Sequence, residues 1–176
     1  DYRHAKFQAD GDKDTIESIV NFILQIATTA KIPRENIHIV PGNHDLTRTK
    51  DFDRITQIIS AYEPDNGRID QADCKFLLNR FSFFKNLLQA LEKQGVPRSW
   101  TNTLQPVHTY RCYSDFNIIY LNTCMTCNSD KDRGELVISN YELYSALIKI
   151  RNENPGKPII VLAHHGADNF KSNEKR

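Results

Sequence analysis

The chain has 176 residues, enough for one domain with a real core. Its 23 basic and 22 acidic side chains nearly cancel, to a formal charge of +1. That excludes a global field drawing the chain to nucleic acid or an anionic membrane, and leaves nucleic acid admissible only as a substrate held by local chemistry. The residues show no signal peptide and no apolar run of membrane-spanning length, so the expected location is cytoplasmic, with no membrane partner.

In chain order, residues 1–13 read as a polar loop. Asp14 and Glu17 match a capping box, and Ile16, Ile19, Val20, Ile23 and Ala27 recur at helical spacing. Together they predict a helix over about 14–30. Residues 36–40 form a short β-branched run stopped by Pro41 and Gly42, and are expected to be a largely buried strand. A helix over 51–62, carrying Phe52, Ile55, Ile58 and Ile59, ends at a turn over 64–67. A long amphipathic helix is predicted over 71–93, with Phe76, Leu77, Phe81, Phe84, Leu88 and Leu91 as a core-facing stripe. Residues 94–105 look irregular around the single tryptophan, Trp100.

Two strand-like runs, 108–113 and 116–122, joined at Ser114-Asp115, predict a tight hairpin. After a charged loop over 128–134, Ser139 and Glu142 offer a second capping box. A helix is expected from there to about 152, through Leu143, Leu147 and Ile148. Pro155-Gly156 breaks it, and residues 158–163 read as a fully buried strand ending at His164-His165-Gly166. The tail from 167 shows no pattern of its own. Alternating helices and strands predict an α/β fold, and nothing divides the chain into two domains.

Two places put metal-competent side chains at the carboxyl end of a buried strand, where open α/β sheets hold their ligands. The first is Pro41-Gly42-Asn43-His44-Asp45. Gly42 permits an unusual backbone turn, and Asn43 can offer a metal its neutral amide oxygen. His44 can move a proton near neutral pH. Asp45 can fix the tautomer of His44, or the stretch can simply be an Asn-containing turn with a cap at Asp45. The second is His164-His165, whose adjacent side chains point to different sides of an extended chain, so that one at most faces a given ion. His4, His38 and His108 lack partners at metal spacing and read as structural.

The four cysteines, Cys74, Cys112, Cys124 and Cys127, are too few and too unevenly spaced for a disulfide scaffold. Cys124 and Cys127 form one CxxC without a second pair, and read as two small reduced residues near a strand end, with a redox or structural-metal role as the lesser alternative.

The block at residues 39–45 resembles the GNHD/E block of calcineurin-like metallophosphoesterases nearly letter for letter. Residues 160–165 are similar to that family's later strand-then-His block. Residues 117–122, followed by Arg133-Gly134-Glu135-Leu136, are similar to the stretch between them. The resemblance covers about 14–166, and it makes the segment 71–105, between its blocks, the natural candidate for a lid or specificity cap. It implies a layered sandwich of two β-sheets flanked by helices, and hydrolysis of a phosphomonoester or phosphodiester. Two divalent metal ions, manganese, iron or zinc, would clamp the phosphate and generate a hydroxide nucleophile. By position, Asn43 and His164 become metal ligands, with His165 the second choice. His44 becomes the group that assists the leaving oxygen, and Asp45 its orienting carboxylate.

The family's early Asp-x-His, Gly-Asp and late Gly-His-x-His blocks have no counterpart in context. Gly11-Asp12-Lys13-Asp14 follows no hydrophobic strand and reads as coincidence plus a helix cap. The resemblance therefore implies the central, incomplete portion of a longer phosphoesterase domain, inactive alone and partnered by the remaining segments of its parent chain. Such a piece is expected to expose apolar surface at a sheet edge. The alternative is a non-catalytic phosphoesterase-like scaffold serving as an interaction or regulatory module.

Overall fold

A computed structural model describes residues 12–48, 50–62, 67–101, 104–129 and 132–172, with side chains from residue 15 onward. Helix α1 spans Asp12–Thr29, α2 Phe52–Ala61, α3 Gln71–Asn79, α4 Ser82–Lys93 and α5 Asn140–Glu153. Strands β1 (Thr109–Cys112), β2 (Asn117–Tyr120) and β3 (Ile159–Leu162) form a sheet in that order. The hairpin pair β1–β2 is antiparallel and β2–β3 is parallel, with α5 as the crossover. The fold is thus mixed α/β. The expected two-sheet sandwich is represented, among the described residues, by this one sheet. His4, the loop over 1–11 and the turn before Gly67 lie outside the described residues.

Core packing follows the two stripes of α4. Phe84 and Leu88, four residues apart, join the main core with Leu77, Phe81, Trp100, Ile119 and Met125. Phe83, Leu87 and Leu91 lie on the adjoining stripe and meet Ile16, Ile19, Val20 and Ile23 of α1 in a second cluster. All five apolar residues named for the first helix are buried. Within the segment expected as a lid, Leu77, Phe81, Phe84, Leu87, Leu88, Leu91 and Trp100 are accordingly built into the two cores.

Several local expectations fail for identifiable reasons. The helix over 71–93 is two helices, broken at Arg80 and Phe81. Arg80 turns inward, its guanidinium donating to the carbonyls of Met125 and Cys127, while Phe81 is fully buried. Residues 37–40 are not a strand. Ile37, Ile39 and Val40 pack against the two cores, but no ladder pairs with them among the described residues. The periodicity thus marked burial, not a sheet. β3 was expected to be fully buried; Ile159, Ile160 and Val161 are 39%, 49% and 58% exposed, because β3 is the sheet's edge among the described residues.

Neither capping box forms as read. Asp14 lies inside α1, which begins at Asp12. Ser139 takes a left-handed conformation (φ 62°), and its hydroxyl donates to Gly67 O instead of capping α5. Ile148 of α5 is exposed, and Ala146 and Ile150 face the core in its place. The tail carries a 3-10 turn at Ala167–Asn169, and Phe170 is buried against Leu136 through a parallel bridge.

Candidate metal centre

Because β2 and β3 are parallel, their carboxyl ends finish side by side, Tyr120 opposite Leu162. Leu121 N–H extends the pairing to Leu162 O at 2.9 Å. The chain therefore leaves both strands at one end of the sheet, placing residues 121–128 beside His164 and His165. The loop at 41–48 is brought to the same place by two anchors. Cys124 Sγ lies 3.3 Å from Pro41 O, to which it donates. Thr47 N–H donates to Arg80 O at 2.7 Å, a carbonyl released from helical pairing by the break between α3 and α4.

Within that loop the turn closes on itself. Asp45 N–H donates to Gly42 O (3.1 Å), and Gly42 N–H donates to Asp45 Oδ2 (2.8 Å). Asp45 is buried and His44 half-buried. The carboxylate thus fills the turn-closing role weighed for it. Gly42 is not among the positive-φ glycines, so the turn rests on the Asp45 side chain more than on glycine's freedom.

The two sequence blocks, 121 residues apart, meet in one contact. His164 Nε2 lies 3.2 Å from Asn43 Oδ1 and can donate a hydrogen bond to it. Two ligands each about 2.1 Å from one ion stand about 3 Å apart, so the same pair can turn its lone pairs on a shared cation. An amide oxygen with an imidazole nitrogen suits manganese, iron or zinc. Burial, then neighbouring His165, lowers the pKa of His164 from its ordinary value, leaving a neutral ring at neutral pH.

His165, in the same bend, makes a different set of contacts. Its Nδ1 lies 3.2 Å from Thr123 O and 3.6 Å from Cys124 Sγ, and its backbone N–H donates to Thr123 Oγ1. The two rings stand edge to face, 4.6 Å apart. The structure therefore brings together Asn43, His44, Asp45 and His164, and sends His165 to the cysteines.

His38 and His108 lie elsewhere. His38 contacts the Tyr113 and Tyr120 hydroxyls. Sequence spacing missed the neighbourhood of His165 with Cys124 and Cys127. The residues are 38 or more positions apart, and only the parallel β2–β3 register joins them.

The chain is similar to a Bacillus subtilis (strain 168) protein described as an uncharacterized metallophosphoesterase-like protein, YydB. The two are 25% identical over 166 residues, covering 90% of this chain and 33% of that relative. The chain thus spans about a third of the length of the curated relative it matches. No family profile and no solved structure matches it. The likeness supports a metallophosphoesterase-like family.

Proposed function

We propose that this chain is a central portion of a two-metal phosphoesterase of calcineurin-like architecture, acting on a phosphomonoester or phosphodiester. The observation that carries the reading is the meeting of Asn43 and His164 across 121 residues, at the carboxyl ends of parallel strands. Similarity to a metallophosphoesterase-like protein along most of the chain supports it.

In this reading Asn43 and His164 hold one ion, and the other ligands come from segments beyond these residues. When bound, the metals supply Lewis-acid polarisation of the phosphoryl group and activation of water. Within the chain, His44 hands a proton to the departing oxygen. Asp45, through its bond to Gly42 N–H, holds the turn that carries Asn43 and His44. The Arg80 carbonyl and the Pro41 carbonyl fix the loop's two ends against the scaffold.

The test is hydrolysis of chromogenic mono- and diesters with added manganese by the complete reading frame containing this chain, with and without His44→Ala. A rate loss of about 10²–10⁴-fold is expected from removing a general acid. Equal activity in both proteins removes His44 from the chemistry. Absence of activity in the complete protein favours the scaffold alternative.

A further inference from the structure

Beside the Asn43–His164 pair lies a second group of donors that the phosphoesterase reading does not use. Cys124, Cys127 and His165 each bring one ligand atom within 4.8 Å of the others. Both cysteines are buried and reduced, and His165 is half-buried. In a tetrahedral site with Zn–S near 2.3 Å and Zn–N near 2.05 Å, the sulfur-to-nitrogen edge is about 3.6 Å. The Cys124 Sγ to His165 Nδ1 distance is 3.6 Å.

The backbone around the group is already braced. Cys127 N–H donates to Cys124 O, Cys124 N–H to Asn122 Oδ1, and Val137 N–H to Thr126 Oγ1. Arg80 holds the Met125 and Cys127 carbonyls from below. The two thiols therefore face His165 on a loop that has few ways to rearrange, which lowers the ordering cost of binding an ion.

We propose that Cys124, Cys127 and His165 form a Cys₂His site for a thiophilic divalent ion, zinc by its donor set, with water in the fourth position. The ion ties the segment after β2 to the segment after β3. It is distinct from the Asn43–His164 pair in ligands and in softness: thiolate selects zinc where amide oxygen and imidazole accept manganese. Binding releases the thiol protons of Cys124 and Cys127, while the neutral His165 ring keeps its one proton on Nε2 and offers Nδ1 to the ion. Affinity therefore rises with pH.

The experiment is metal analysis and cobalt substitution on the full chain, purified under reducing conditions. The result expected is about one zinc per chain, and a cobalt form showing sulfur-to-cobalt charge-transfer absorption with tetrahedral d–d bands. Cys127→Ser and His165→Gln weaken zinc binding by roughly a hundredfold or more, while Asn43→Ala and His164→Ala leave it unchanged. Should the cysteine variant unfold, the cobalt spectrum of the unaltered chain decides alone. Thiols that react with a disulfide reagent equally fast with and without zinc, together with a cobalt form lacking the charge-transfer band, overturn the site. Zinc lost in His164→Ala but kept in Cys127→Ser overturns it as well.

Discussion

His108 sits in the core with both ring nitrogens engaged. Its Nε2–H donates to Ile138 O, and Nδ1 accepts from Asn122 N–H. Protonating Nδ1 would break the second bond and bury a charge, so burial lowers its pKa from 6.5 to about 4. Between these values the unfolded chain binds a proton that the folded chain refuses. The contribution is therefore complete above pH 6.5 and is lost as pH falls toward 4, at about 1.4 kcal/mol per pH unit. Urea unfolding between pH 7 and 5 should show this slope, and His108→Gln, which keeps a donor and an acceptor without titrating, should flatten it by about that amount. Sequence reading placed His108 as structural because it had no partner at metal spacing, and the buried hydrogen bonds agree. Asn43 and His164 were legible as candidates that could meet because each follows an apolar run into a polar, metal-competent pair. That His165 faces cysteines was not legible, because strand register alone decides which of two adjacent rings faces which loop.

At the scale of elements, the break between α3 and α4 does more for the site than either helix. Apolar periodicity runs through 71–93 without interruption, so the sequence offers no Gly or Pro to announce the break. The cause is long-range. Arg80 is buried, and its guanidinium bonds to Met125 O, Cys127 O and Asn128 Oδ1. The chain must leave the helix to direct it there, and the freed Arg80 carbonyl takes Thr47 N–H. Arg80→Met keeps much of the volume but removes the donors. It should cost about 2–3 kcal/mol, the usual worth of hydrogen bonds to a charged group that leave buried partners behind. Urea denaturation measures the cost. Faster amide exchange at Cys127 and Thr47 than at Ile119 would place the loss at this junction, whereas uniform loosening would not.

For the molecule as a whole, the sequence read most of the elements but not their company. Helices α1, α2 and α5 and the hairpin were visible because their periodicity and turns are local. The state of residues 37–40 and the exposure of β3 were not, because both depend on which strands lie alongside. Among the described residues β3 ends the sheet, with apolar side chains on both faces open to solvent. That agrees with an expected incomplete sheet, and with a chain that spans a third of its relative. The central claim is that Asn43 and His164 serve one ion. It is tested most directly by manganese titration of hydrolysis in the complete reading frame, with Asn43→Ala, His164→Ala and the double variant. Each single change should raise the manganese concentration for half-maximal activity at least about tenfold, and the double change should cost much less than the two together, since neighbours serving one partner are not additive. Unchanged manganese dependence in both single variants, or full additivity in the double, would contradict a shared ion.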